Sequence, residues 1–239
     1  MSMLSTKIHP MTLAVANLLI STSLVLQNVK TSKDNGGRID GPLFISAILY
    51  FLSFVLRIIL TVQSSGDENS GMNCGMFQLS NLINIMAYTI VIGFKITNLN
   101  KVKDELAKME KDKQIDPENF NEKEEISEIS MGSYMTLLFA YLLYIVFCSL
   151  TLYITYKSDM NSPQKINYTI TSLILLICIA VFIMIIIQRS KKNKISNSKL
   201  SISIDSITIV MFILLITLLV RFQTMTTECH TVGPFKFKQ

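Results

Sequence analysis

The chain has 239 residues, 50% hydrophobic and only 16% charged, with a net charge of +5 and a mean hydropathy of +0.44. A soluble domain carries about a quarter charged residues, so an ordinary water-soluble globule is excluded, and the length suits one membrane domain over residues 1–239. Lys and Arg gather in short segments between apolar runs, a distribution that reports orientation in a bilayer and gives no ground for a nucleic-acid partner.

Six apolar runs follow in chain order. The first, at about 10–27, is the weakest, being rich in Ser and Thr and carrying Asn17. No small-residue cleavage site precedes the basic segment with Lys30, Lys33 and Arg38, so this run reads as an uncleaved span that serves as its own insertion signal. The second, at about 42–63, holds Arg57, the one ionisable group well inside a span, about 9 Å from that span's end. The third, at about 77–98, is polar in its first half, with Gln78, Ser80, Asn81 and Asn84, and has Lys95 near its far end, placed to snorkel. The fourth, at about 133–156, carries Tyr134, Tyr141, Tyr144, Tyr153 and Tyr156, read as interfacial anchors and packing groups. The fifth, at about 166–188, is apolar all round and offers no polar face to water, which argues against a soluble bundle. The sixth, at about 203–222, has Asp205 at its start, where a carboxylate complements a helix N-terminus, and Arg221 near its end, placed to snorkel. A helix needs about 17 to 25 apolar residues to cross about 30 Å of hydrocarbon. The predicted fold class is therefore all-α, a polytopic membrane protein with six transmembrane helices in contact with the lipid bilayer.

The charged segment 99–131 joins two sets of three spans. Its first part should be helical, with Val102, Leu106 and Met109 on one thin apolar stripe, and Asp116-Pro117 should end that helix. The segment reads either as a docking site for a partner or, more simply, as a solvated linker. An odd number of spans per half implies an inverted repeat, and residues 139–146 loosely echo 48–55. Fourteen basic residues lie in the first, third and fifth connections against six on the opposite side. The positive-inside rule then places both termini on the outer or luminal side of a plasma, internal or viral membrane.

Chemistry has few candidates. Arg57, Asn81 and Asn84 lie at matching depth on adjacent spans, and Asn81 and Asn84 share a helical face. They form either a polar-ligand cluster or a helix-packing network that satisfies a guanidinium in hydrocarbon. Of the four cysteines, Cys148 and Cys178 fall inside spans, while Cys74 and Cys229 share the outer side and are a possible disulfide. His9 and His230 have no metal-ligand spacing, no span core holds Asp or Glu, and no nucleotide or nucleophile motif occurs. Neither a metal, a cofactor nor an enzymatic activity is expected. The reading from sequence is a structural or assembly subunit with protein partners in a larger membrane complex. The alternatives are a channel or carrier for a small anion or neutral solute, and a receptor-like signalling protein using the segment 99–131.

Overall fold

Inside a bilayer the backbone has no water to bond, so apolar runs nearly free of Gly and Pro close their hydrogen bonds within helices. The structure, a computed structural model, describes residues 3–34, 39–63, 70–115, 131–157, 162–190 and 194–225. They form α1 (Met3–Asp34), α2 (Gly41–Gln63), α3 (Ser70–Ile115), α4 (Met131–Lys157), α5 (Ser162–Ser190) and α6 (Lys194–Met225), with no strand among the described residues. All six are long and apolar enough to cross a membrane. The protein is a multi-pass α-helical membrane protein.

Local sequence sets the helix ends. Asp40 caps α2, its Oδ1 accepting from the Leu43 amide at 3.4 Å, and Pro42 fits the first turn, where its missing N–H is no loss. The Asn28 side chain donates to Asp40 O at 2.8 Å and accepts from Asp40 N at 3.0 Å, clamping α1 to the start of α2. The helix expected after residue 101 is not separate. It continues the third span, so α3 has 46 residues and runs about 70 Å before stopping at Ile115, just ahead of Asp116-Pro117. The half-buried stripe of Val102, Leu106 and Met109 belongs to this projection. Lys199 of α6 reaches Glu110 there at 2.8 Å, so α6 accompanies α3 beyond the bilayer.

The helices close a ring. α1 packs on α2 and α4, α2 on α3, α3 on α6, α6 on α5, and α5 on α4. Neighbours run antiparallel: Ser23, late in α1, lies 3.0 Å from Ser133 at the start of α4, and Lys95, beyond the middle of α3, meets Asp205 in the first half of α6. The start of α1 and the end of α6 thus share one end of the ring, here the terminal end. The α3–α4 and α5–α6 connections leave from the other, the linker end. Exchanging α1, α2, α3 for α4, α5, α6 leaves every neighbour relation unchanged, the arrangement an inverted repeat produces. The echo between 48–55 and 139–146 is not a trace of it, because it pairs α2 with α4, which the exchange does not relate.

The outer faces are apolar, as lipid requires, and the interior combines an apolar core with a polar cluster. Phe139, Leu176 and Ile213 point outward, more than half exposed, while Asn17, Ser53, Ser80, Asn81 and Asn84 are fully buried. Hydroxyls on the outer faces return to their own helices, as Thr89 does to Ile85 O at 2.8 Å and Thr217 to Ile213 O at 2.9 Å. The low hydropathy of α1 follows from its position: half of its span is buried, the largest share of the six.

The alternating directions predict one outcome in intact vesicles. Single cysteines introduced at Thr226 and at Lys192 should react with a membrane-impermeant maleimide from opposite sides; reaction from the same side would contradict the ring's directions.

Candidate functional site

On α2, Ser46, Tyr50, Ser53 and Arg57 recur at helical spacing and are all buried, so this apolar-looking span turns one polar face inward. On α3, Ser80, Asn81, Asn84 and Tyr88 do the same. Because the two helices are antiparallel, the residues meet in layers. Nearest the terminal end, Arg57 Nη2 donates to Asn81 Oδ1 at 2.9 Å. One layer deeper, Ser53 and Ser80 hydroxyls lie 3.3 Å apart. Deeper still, the Tyr50 ring meets Tyr88 edge-on with centroids 5.7 Å apart.

Asn17 of α1 ties these layers to the opposite wall. Its Nδ2 donates to Ser53 Oγ at 3.3 Å and to Asn84 Oδ1 at 3.2 Å, and its Oδ1 accepts from the Tyr144 hydroxyl at 3.3 Å. Tyr144 lies 3.0 Å from the Tyr88 hydroxyl, so with Tyr144 donating to Asn17, Tyr88 must donate to Tyr144. The relay runs in one direction, from Tyr88 through Tyr144 and Asn17 to Asn84. Its three links, Tyr88 to Tyr144, Tyr144 to Asn17 and Asn17 to Asn84, join three helices, α3, α4 and α1.

Three donors in this interior have no hydrogen-bond partner among the described residues: Asn81 Nδ2, Asn84 Nδ2 and the Tyr50 hydroxyl. The orientation of the Asn81 amide is forced, because arginine only donates and so must face the carbonyl oxygen. A buried polar group left unpaired costs about 1 to 3 kcal/mol. Arg57 satisfies the oxygen of Asn81 and Asn17 that of Asn84, and the two amide nitrogens are left to donate.

The linker end is built differently. Lys95 forms an ion pair with Asp205, whose other oxygen accepts from Asn98 at 3.1 Å. This corrects two expectations. Asp205 does not cap a helix, because α6 begins at Lys194, three turns earlier, and Lys95 is not a snorkelling group, because α6 supplies its counter-ion inside the ring. Arg221 likewise does not simply extend to the surface: its Nε donates to Asn167 Oδ1 at 2.7 Å. Between the two ends lies an aromatic layer, with Tyr88 stacked on Phe212 at 5.2 Å and the Tyr141 hydroxyl 3.4 Å from Thr208.

The structure pairs Arg57 with Asn81 and places Asn84, one turn further along α3, in the network around Asn17. Asn17, Tyr50, Ser53, Ser80, Tyr88 and Tyr144 join them without having been singled out as a site. Part of the signal was present, since Tyr50 and Ser53 sit seven and four residues before Arg57 on its own face. Tyr141 and Tyr144, read as anchors or packing groups, are core residues, whereas Tyr153 and Tyr156 are exposed. Tyr134 lies under the Arg189 guanidinium at 4.8 Å. Cys148 and Cys178 are free, buried thiols. The Cys74–Cys229 pairing lies outside the described residues, as does His230. Among the described residues no three His, Cys, Asp or Glu side chains gather as a metal site would need. No protein-family model matches the chain, and neither a curated protein nor a solved structure matches it significantly.

Removing one member of the Lys95–Asp205 pair leaves the other in a mostly buried position. Asp205→Ala should lower stability in detergent by about 1 to 3 kcal/mol. Lys95→Met combined with Asp205→Leu should cost less than the sum of the two single changes. Strict additivity in a thermal-unfolding double-mutant cycle would contradict the pairing.

Proposed function

We propose that this protein is a membrane carrier or channel for a small polar solute, anionic or neutral, which it takes into the ring between α1, α2, α3 and α4. One observation carries the reading: polar side chains of four helices point at one another inside the ring while the apolar faces look outward. Interhelical hydrogen bonds in a membrane join helices pair by pair. Here the polar column extends from Arg57 to Tyr144, across the ring as well as along it. The aromatic layer and the Lys95–Asp205 pair close the linker end in this conformation, so passage requires the α3–α6 seam to open. The ring's two seams, α1 with α4 and α3 with α6, are the natural planes for such a movement of one three-helix half against the other.

The reading as a structural subunit is supported by a separate feature, the charged projection of α3 beyond the bilayer, whose outward residues are exposed to a partner. The Val102, Leu106 and Met109 stripe is half-buried in the fold, which weakens its use as a docking face. Placing the terminal end on the outer or luminal side follows from the basic residues of the linker end and is part of the same proposal.

Proteoliposomes containing the purified protein should pass at least one solute from a panel of glycerol, urea, formate, nitrate and chloride faster than protein-free liposomes. Asn17→Leu, which cuts the relay at its branch point, should lower that flux about tenfold or more. If no solute passes, and the protein instead purifies in a fixed-ratio complex, the structural-subunit reading replaces this one.

A further inference from the structure

Which solute the ring takes depends on which hydrogen-bonding groups remain to offer it. Each asparagine oxygen already has a donor. Asn81 Oδ1 accepts from Arg57, Asn84 Oδ1 from Asn17, and Asn17 Oδ1 from Tyr144. What remains without a partner in the interior, the amide nitrogens of Asn81 and Asn84 and the Tyr50 hydroxyl, can donate. A neutral solute such as urea or glycerol carries donors of its own and would need acceptors in return. Two of these three groups, the amide nitrogens, can only donate, which favours a solute that accepts.

Charge points the same way. Two guanidiniums, Arg57 and Arg221, lie toward the terminal end, each oriented by an asparagine carbonyl. In a low-dielectric interior the buried Arg57 guanidinium attracts an anion and repels a cation. Asn81 and Asn84 sit one turn apart on α3, so their amide groups follow one another down the column below Arg57. The interior supplies one guanidinium at this depth, which suits a single negative charge; a divalent anion would face a desolvation cost that neutral amides do not offset.

We propose that the ring holds a small monovalent anion, such as chloride, nitrate or formate, at a site formed by Arg57, Asn81 and Asn84, with the Tyr50 hydroxyl at its deeper edge. This inference rests on the solute-carrier reading and narrows it. The anion enters from the terminal end, is stripped of water against the two amide groups, and stops above the aromatic layer. The rival occupant is buried water alone, which also satisfies donors.

The test uses the purified full chain in neutral detergent and then in liposomes. Thermal unfolding is followed while sodium chloride or sodium nitrate replaces sodium gluconate at constant ionic strength. A saturable rise in the midpoint supports the site; a flat response, or a linear one without saturation, overturns it in favour of water. Asn84→Asp sets a carboxylate where a donor was, and Arg57→Gln removes the charge. Each should weaken the apparent chloride affinity at least tenfold, and unchanged affinity in both overturns the assignment. Wild-type protein alone decides the binding question should either variant fail to fold. In liposomes, chloride flux well above glycerol and urea flux supports the anion. Glycerol or urea flux without chloride or nitrate flux overturns the anion while leaving the carrier reading standing. Flux of none overturns both.

Discussion

A polar group in hydrocarbon must find its partner within the protein, and this single constraint accounts for most of the architecture. α2 and α3 each carry a row of polar residues that cannot face lipid. Turning those rows inward forces other helices to cover them, and α1 does so with Asn17, which bonds both. The remaining helices continue the enclosure through α4, α5 and α6 until the ring closes on α3. The α1–α3 side of the interior is polar because lipid cannot satisfy those groups, while Val181, Leu215 and Leu218 fill the α5–α6 side.

Closure is tightened by small side chains and specific seams. Ala14, Ala16, Ala47, Ala87 and Ala140 are almost completely buried, which lets neighbouring helices approach closely. The Ser21 hydroxyl reaches Ala47 O at 2.7 Å, which such an approach permits. The α1–α4 seam is joined by serines and the α3–α6 seam by an ion pair. The first is compact and neutral, whereas the second concentrates charge at one end. A movement of the two halves would therefore be gated at the charged seam.

Much of this was legible in the sequence because it depends on local pattern. The six spans follow from hydropathy and length, and Arg57 with Asn81 and Asn84 follows from equal depth on consecutive, antiparallel helices. What was not legible depends on helices brought together from far along the chain. Lys95 and Asp205 are 110 residues apart, and nothing in either span shows that α3 and α6 are neighbours. Asp205 looked like a helix cap because the apolar run begins beside it, yet polar residues from Lys194 onward are good enough helix formers to extend α6 backward. Asn17 and the Ser and Thr residues of α1 read as weak hydropathy; in the ring they mark the helix most enclosed by others. Tyr144 could have been an anchor by composition, and only the ring places its hydroxyl against Asn17.

The central claim is that the polar interior, and not the outer surface, is the side a solute reaches. Adjacent residues on α2 separate the two: Ser53 is fully buried inside the ring, whereas Leu52 is 43% exposed toward lipid. In a background with the four native cysteines replaced, Ser53→Cys and Leu52→Cys would be treated in proteoliposomes with a small, charged, water-soluble thiol reagent. The account predicts modification of Cys at position 53 from the terminal side, slowed by chloride, with position 52 unreactive. Reaction at position 52 and none at position 53 would contradict it.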